Sequence, residues 1–327
     1  PRVPLASLRG SSGIAGKIFE RIKRVKLYND LVRRMFDKID KDFDFIICEN
    51  DPSYKIGFFY KKINPKTKIV WIMHNPPFFH SGKSSFVIDL LSRVAALFEK
   101  ASAKYYGNAV DSILVFDERA KRLAEEVGPP VKVVNLPVDI EYFYSLPKNG
   151  ISQNKTIQLL SLGALSPTRR FEDTISAAAI LRHNGYDVRV LLICKDYWGD
   201  KNYREEFEKF IESSGIKQHV DARFGGSTEG ELLQAMKTSD IFVLPNNVTG
   251  WAIGAFEAMA AGLPLVSPRM IASADILRDG VNALLIDVFR PYQIAEKVEA
   301  LIRDPELYIR IASAGQKLVQ EKLSIEG

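Results

Sequence analysis

Short apolar runs alternate with stretches of helical periodicity from residue 43 to the end of the chain. This alternation is typical of parallel β-sheets whose strands are connected by helices. Because both faces of such a sheet are covered, each strand reads as a nearly continuous apolar run. The predicted strands are 43–48, 68–73, 112–116 and 131–135 in the first half, and 156–162, 188–194, 220–224, 240–245, 263–267 and 283–287 in the second. The sequence therefore predicts an α/β protein.

The second half contains every element of a six-stranded, doubly wound domain. Its predicted helices are 171–184, 203–214, 229–238, 252–261, 291–303 and 305–322. The polar segment 145–155 is rich in turn formers and is the natural linker, so we predict domains at 1–147 and 148–327. The first half has only four predicted strands and opens on a helix, which predicts that the N-terminal portion of a longer protein is absent.

The composition is that of a globular protein, with 46% hydrophobic and 26% charged residues. No run of about eighteen apolar residues occurs, so no membrane-spanning helix is expected. Cys48 and Cys194 lie in separate strand-like runs and are expected to be buried, reduced thiols, which favours a cytoplasmic location. The four histidines and two cysteines lack the spacing of a metal site, so no bound metal is predicted.

Positive charge is concentrated near the start of the chain. The formal net charge is +5, and residues 13–41 hold nine Lys and Arg residues against four acidic residues. Apolar residues recur there at every third or fourth position, which predicts an amphipathic helix, either continuous or with one break. It is either an ordinary surface helix of a basic protein or a contact with an anionic membrane surface. A nucleic-acid partner is not expected, because the helix offers few aromatic residues for base stacking.

Open parallel sheets bind ligands at the carboxyl ends of their strands. After strand 156–162 the chain places Gly163, then a proline, then Arg169 and Arg170 at the start of a predicted helix. Two guanidinium groups at the positive end of a helix dipole suit a diphosphate, because they combine forked donors with fixed charge. The alternative is that both arginines are solvated surface residues.

The loop after strand 240–245 reads NNVTGWAIGAFEAMAAGLP. Gly250 and Gly254 would let the backbone approach a ligand, and the amides that open the following helix face the same loop. Glu257, in the first turns of this helix, could accept both hydroxyls of a ribose. The alternatives are that Glu257 stabilises the helix dipole and that the small residues serve close helix–sheet packing.

Several segments carry a resemblance to a known family. The second half contains GALSPTRRFEDTISA, FVLPNNVTGWAIGAFEAMAAGLPLVS and ADILRDGVNALLIDV. They resemble the donor-domain motifs of the retaining glycosyltransferase family four, within glycosyl transferases group 1. The first half adds IVWIMHNPP, DSILVFDERAKRLAEE and VVNLPVDIEYF, which resemble that family's acceptor-domain landmarks. The resemblance extends over residues 43–320.

The resemblance implies the GT-B fold, in which two Rossmann-like, doubly wound parallel-sheet domains face each other across a cleft. It implies a retaining transferase that moves a hexose from a UDP- or GDP-linked donor to a glycan or lipid-linked acceptor. Neither a metal nor a cofactor is implied. A cytoplasmic protein, at the inner face of the cell membrane, would suit such an acceptor. The family's C-terminal helix, which crosses back to the first domain, is expected to be cut.

The first donor loop can be compared with the family residue by residue. The family reads Gly-Arg-Leu and, four residues later, a lysine. Gly163 and Leu165 match, Ala164 replaces the arginine, and Arg169 stands at the place of the lysine. By resemblance, Arg169, with Arg170 as its possible substitute, would neutralise the leaving diphosphate.

The second donor loop departs further from the family pattern. Glu257 matches the second of two glutamates, the one expected on the ribose, but Thr249 replaces the first, which is expected near the sugar. Gly250, Trp251 and Gly254 belong to the same donor-binding segment. In the first half, His74 matches an acceptor-domain histidine that faces the sugar.

Two alternatives to a transferase remain, the first suggested by these departures and the second by the shared fold. One is a nucleotide-sugar-binding GT-B protein with impaired catalysis. The other is a GT-B epimerase or phosphorylase.

Overall fold

The chain divides into two compact units, Pro1–Asn135 and Leu136–Gly327. The computed structural model describes residues 14–49, 51–74, 86–151, 156–195, 201–247, 252–269 and 275–324, with the backbone alone for 14–25, 86–96 and 201. Each unit is built on a parallel β-sheet with helices in the connections. The predicted α/β class is confirmed.

The first unit contains a four-stranded parallel sheet in the order β1-β2-β3-β4. Its strands are β1 (Phe45–Glu49), β2 (Lys68–Ile72), β3 (Ser112–Val115) and β4 (Val131–Val133). Its helices are α1 (Ile14–Lys38), α2 (Tyr54–Ile63), α3 (Phe86–Gly107) and α4 (Glu118–Ala124). All four predicted strands are confirmed, and α1 is continuous and has no break.

The core of the first unit lies on one face of this sheet. Trp71 of β2 and Ile113 of β3 are fully buried there, and their side chains share a face because the two residues are register partners. The ring of Tyr54, at the start of α2, stacks on Trp71 at 3.9 Å between centroids. Burying side chains of this size contributes about 2–3 kcal/mol each. This packing fixes α2 against the strands and holds the carboxyl ends of β1 and β2 together.

The second unit contains a six-stranded parallel sheet in the order β10-β9-β8-β5-β6-β7. Its strands are β5 (Ile157–Ala164), β6 (Val188–Lys195), β7 (Val220–Phe224), β8 (Ile241–Val243), β9 (Leu265–Pro268) and β10 (Leu284–Ile286). Its helices are α5 (Ile140–Phe143), α6 (Phe171–His183), α7 (Lys201–Ser213), α8 (Glu229–Thr238), α9 (Ile253–Ala260), α10 (Pro291–Arg303) and α11 (Pro305–Lys322). The six strands and six helices predicted for this half are confirmed.

The winding of this second sheet reverses between β5 and β8. From β5 the chain proceeds outward to β6 and β7, then returns to the other side of β5 and continues through β8, β9 and β10. Because strand–helix–strand connections are right-handed, the reversal places helices on both faces. Two buried apolar clusters result. In open sheets of this kind the reversal point is where ligands bind.

The division between the units falls earlier than the predicted boundary after residue 147. The main-chain N–H of Val138 donates to the carbonyl of Leu323, at the end of α11, at 2.8 Å. Lys148 donates to the buried carboxylate of Asp240 at 2.7 Å. The reason for the difference is that these long-range contacts tie the segment after residue 135, and the described part of the predicted linker, to the second unit.

Two further expectations concern the cysteines and membrane-spanning helices. Cys48 and Cys194 are buried thiols that take part in no disulfide bond, as predicted. Among the described residues, no helix is long and apolar enough to cross a membrane.

Candidate functional site

The two loops singled out in the second half lie side by side at the carboxyl edge of the sheet. β5 pairs in parallel with β8, so the segments that follow these strands leave the sheet in the same direction. The N–H of Asn247, after β8, donates to the carbonyl of Thr168, after β5, at 3.0 Å. A backbone hydrogen bond therefore joins the arginine-bearing loop to the loop that leads into α9.

A buried polar contact holds the strands beneath these loops. The hydroxyl of Ser161 on β5 donates to the carbonyl of Val243 on β8 at 2.7 Å. It also lies 3.1 Å from the hydroxyl of Thr174 on α6. Because Ser161 and Thr174 are fully buried, the loss of either side chain would remove a hydrogen bond that water could not replace. The contact fixes β5, β8 and α6 as one scaffold.

Arg169 lies directly over the end of β5. Gly163 has a φ of 151°, and a β-carbon added there would lie 3.2 Å from Nε and 3.6 Å from Cζ of Arg169. A side chain at position 163 would therefore displace the guanidinium. The glycine is required both by its backbone conformation and by the close approach of this arginine.

Arg170 has a different environment from its neighbour. Its Nη2 donates to Oδ1 of Asp173 at 2.6 Å and its Nε to Oδ2 at 3.2 Å, which forms a bidentate ion pair within the start of α6. On another side, its guanidinium carbon lies 4.8 Å from the ring centroid of Phe289. Asp173 balances the charge of Arg170 locally. The two neighbouring arginines therefore have different environments, Arg169 over Gly163 and Arg170 beside Asp173 and Phe289.

Glu257 occupies the second turn of α9 and is half-buried. Within the described part of the chain, its carboxylate has neither a hydrogen-bond nor an ion-pair partner. Burial raises the pKa of the Glu257 carboxyl above its ordinary value. A carboxylate in this state favours a ligand that brings hydrogen-bond donors, and perturbed carboxylates of this kind are enriched at functional sites.

Gly254 opens α9 next to the end of β5. A β-carbon at this position would lie 2.5 Å from Cδ1 of Leu162, so the glycine permits close contact between helix and strand. This supports the packing interpretation of Gly254 and leaves its role toward a donor as a prediction. Thr249, Gly250 and Trp251 lie outside the described residues.

In the first unit, His74 follows the end of β2 and meets two side chains. Its Nε2 lies 3.1 Å from Oε1 of Glu49, the last residue of β1. Its ring packs edge-on against Phe116, which follows β3, at 4.8 Å between centroids. Three successive strand ends of the first sheet therefore contribute to one histidine environment.

Some residues of these sites were not anticipated from sequence. Glu49 also ends an apolar run, so the strand-end rule applied to the first half would have indicated it. Phe289 carries no such signal, since its contact with Arg170 depends on tertiary packing. Asp173 stands three residues after Arg170, and this helical spacing would have indicated their ion pair. Asn246 and Asn247 follow β8, and each has a buried amide oxygen that finds no hydrogen-bond donor among the described residues.

The described residues contain no cluster of three or more His, Cys, Asp and Glu side chains that could hold a metal ion. The absence of a bound metal stays a prediction.

The reversal point of this doubly wound sheet brings together a helix start, an arginine and a half-buried carboxylate. This combination is typical of nucleotide-binding α/β proteins. The family model described as "Glycosyl transferases group 1" matches residues 145–318, more than half of the chain. The chain belongs to this family.

Curated relatives match with moderate identity. Alpha-D-kanosaminyltransferase of Streptomyces kanamyceticus is 28% identical over 168 residues, which are 51% of this chain and 42% of the relative. D-inositol 3-phosphate glycosyltransferase of Thermobifida fusca is 27% identical, over 52% of this chain and 40% of the relative. A GDP-mannose-dependent mannosyltransferase of Mycobacterium tuberculosis is 25% identical, over 61% and 54%. The chain spans about half the length of the curated relatives it matches.

Solved structures match over most of the chain. Anabaena HepE in complex with UDP and glucose aligns with a TM-score of 0.73 at 17% identity, covering 92% of this chain and 78% of that one. Sucrose-phosphate synthase from Thermosynechococcus elongatus aligns with a TM-score of 0.72 at 15% identity, covering 93% and 76%. This likeness establishes the fold, and the predicted Rossmann-like GT-B fold is confirmed.

Replacing Glu257 should make stability less dependent on pH. The pKa is raised by folding, so the folded protein binds this proton more tightly than the unfolded chain, and ionised Glu257 lowers stability above the folded pKa. We expect Glu257→Gln to raise the free energy of unfolding at neutral pH. This gain should shrink as the pH falls toward the ordinary glutamate value of 4.5.

Urea unfolding across this pH range measures the effect. Glu206→Gln, at an exposed position of α7, is the matched control and should leave the pH profile unchanged. A stability difference between Glu257→Gln and wild type that does not vary with pH would contradict the assignment.

Proposed function

We propose that the protein is a retaining glycosyltransferase that moves a hexose from a nucleoside diphosphate sugar to a glycan or lipid-linked acceptor, without a metal ion. The observation that carries the proposal is the placement of Arg169 over Gly163. This position at the end of β5 is hydrogen-bonded to the loop that leads into α9 and Glu257. Family membership and the GT-B fold support the same function.

The diphosphate is assigned to Arg169 and to the start of α6. Negative charge builds on the diphosphate as the glycosidic bond breaks, and a fixed guanidinium next to a helix N-terminus stabilises that charge. Such preorganised charge can replace the divalent cation that other transferases use. The loop that contains Gly250 is proposed to add main-chain amides.

The ribose of the donor is assigned to Glu257. A half-buried carboxylate can accept hydrogen bonds from the two ribose hydroxyls, which is the role of the acidic residue in dinucleotide sites. Its raised pKa fits a group whose partners arrive with the ligand. The base is proposed to be uracil or guanine, since HepE is described in complex with UDP and a relative is GDP-mannose-dependent.

The chemical step is proposed to retain the anomeric configuration, which rests on the resemblance to family four. In such a step the acceptor hydroxyl attacks on the face from which the diphosphate departs, and a departing phosphate oxygen takes the proton. No separate base is then needed. His74 is proposed to contact the transferred sugar, with Glu49 holding its imidazole.

A second candidate function is nucleotide-sugar binding without transfer. Ala164 and Thr249 replace residues that the family resemblance associates with phosphate and sugar. These two replacements favour a protein that binds the nucleotide sugar without transferring it. The assays below separate the two, since a binding protein would retain donor affinity without turnover.

Removing the carboxylate of Glu257 should weaken donor binding. Glu257→Ala loses hydrogen bonds between a charged group and the ribose, so we expect a roughly 10- to 100-fold lower affinity for the nucleoside diphosphate. Titration calorimetry with UDP, GDP and ADP measures this, with Glu206→Ala as control. Equal affinity of wild type and Glu257→Ala for every nucleotide that binds would end the ribose assignment.

Removing the guanidinium of Arg169 should affect turnover more than binding. Because it stabilises charge that develops as the bond breaks, Arg169→Ala is expected to lower kcat by about 100-fold with a smaller change in donor affinity. Donor hydrolysis and transfer assays measure kcat, and Arg310→Ala, exposed on α11, is the control. Full turnover in both Arg169→Ala and Arg170→Ala would refute the phosphate assignment.

We further propose a cytoplasmic protein that contacts the inner face of the cell membrane through α1. Arg33, Arg34 and Lys38 are exposed on this helix, and basic helices bind anionic lipid surfaces. Flotation with phosphatidylserine-containing vesicles should carry the protein upward, and raised salt should weaken this. Arg33→Gln combined with Arg34→Gln should reduce it. Equal flotation with purely phosphatidylcholine vesicles, or none at all, would contradict the proposal.

A further inference from the structure

Two non-glycine residues in the described part of the chain have a positive φ, and their side chains touch each other. Arg170 has a φ of 54° and Phe289 a φ of 59°. The guanidinium carbon of Arg170 lies 4.8 Å from the ring centroid of Phe289. We call this contact the Arg170–Phe289 stack.

A left-handed backbone conformation is unfavourable for both residue types. Steric contact of the β-carbon disfavours it by about tenfold or more in population for each residue. Residues in such conformations persist where surrounding structure enforces them, and they cluster at functional sites. Arg170 and Phe289 come from loops after β5 and β10, so local sequence does not bring them together.

Burial does not offset this strain at Phe289. The side chain is 50% exposed and lies outside the buried apolar clusters of the second unit. A phenylalanine that only filled a core would be covered. The ring of Phe289 contacts the guanidinium of Arg170, and cation–π contacts are attractive even when partly solvated.

The stack joins the beginnings of two packed helices. Arg170 immediately precedes α6, and Phe289 lies two residues before α10. α6 and α10 pack against each other. Arg170 is thereby held from two directions, by the bidentate pair with Asp173 on its own helix and by the ring from the neighbouring loop.

The backbone at Arg170 determines where Arg169 points. The N–H of Arg169 donates to the carbonyl of Ser166 at 3.0 Å, and the N–H of Asp173 donates to the carbonyl of Arg170 at 2.9 Å. Between these two hydrogen bonds, φ of Arg170 sets the direction of the turn. A return to a negative φ would rotate the preceding segment relative to α6 and move the Arg169 guanidinium away from Gly163.

We infer that the Arg170–Phe289 stack holds the left-handed turn at Arg170 and so fixes the Arg169 guanidinium over Gly163. Phe289 is then a positioning residue for glycosyl transfer, which it supports without touching the reacting atoms. This inference rests on the proposed function for its catalytic consequence. Its structural consequence, a turn held by the stack, does not depend on any ligand.

Phe289→Ala tests the inference because it removes the ring and keeps the backbone type. We expect amide exchange in residues 165–171 to become about tenfold faster, which corresponds to about 1.4 kcal/mol of lost local stability. We also expect kcat to fall about tenfold with less than about a threefold change in donor KM. Phe289→Tyr keeps the ring and should restore both quantities.

A second arginine–aromatic contact provides the matched control. Arg204 lies 4.4 Å from the ring of Phe224 and donates to Glu208 at 3.0 Å, so it combines an aromatic ring and a nearby carboxylate without a positive φ. Arg204→Ala should leave both exchange at 165–171 and kcat unchanged. Faster exchange there in Arg204→Ala would show a general loss of stability and overturn the inference.

The outcomes separate this inference from the proposed function. Unchanged exchange at 165–171 in Phe289→Ala overturns the inference, whether or not the protein turns over a donor. Faster exchange with unchanged kcat in an active enzyme also overturns it. The proposed function is refuted if the wild-type protein binds no nucleoside diphosphate. In that case, faster exchange in Phe289→Ala would still show that the stack holds the turn.

Discussion

Parallel pairing between β5 and β8 is the constraint on which the candidate site depends. The two strands are neighbours because the winding of the sheet reverses between them, so segments distant in sequence leave the same edge together. The buried hydroxyl of Ser161 bonds β5 to β8, and the hydrogen bond from Asn247 to Thr168 joins the loops above. Without this pairing, Arg169 and the start of α9 would not share one rim of the sheet.

Arg170 and Glu257, two charged residues at this rim, differ in how their charge is compensated. Asp173 balances Arg170, so that residue contributes mainly to the local structure. Glu257, by contrast, is a half-buried carboxylate whose pKa is raised by burial, which is unfavourable for folding alone. Proteins retain such unfavourable groups where function requires them. The arrangement supports the proposal that Glu257 accepts hydrogen bonds from ligand hydroxyls and that Arg169 neutralises a diphosphate.

Most of the fold could be predicted from the sequence because the strands read as short apolar runs, and β8 and β9, in the interior of the second sheet, are buried on both faces. The loops of the candidate site could be located too, since ligands bind at strand ends. The ring contact of Arg170 could not be predicted, because Phe289 follows the strand at the far edge of the sheet and meets Arg170 through tertiary packing. The position of the domain boundary was also missed, since the pairing of Val138 with Leu323 is long-range and leaves no local pattern.

The attachment of residues 136–151 to the second unit determines how that unit can be isolated. The main-chain N–H of Val138 donates to the carbonyl of Leu323, and the side-chain amide of buried Gln316 donates to the carbonyl of Ser145 at 2.8 Å. A fragment that begins after residue 147 would lose both contacts, so the last turn of α11 would fray. One N–H of the Gln316 amide would also lose its acceptor, while the other still donates to the carbonyl of Ala260. An expressed fragment that begins at Leu136 retains both contacts.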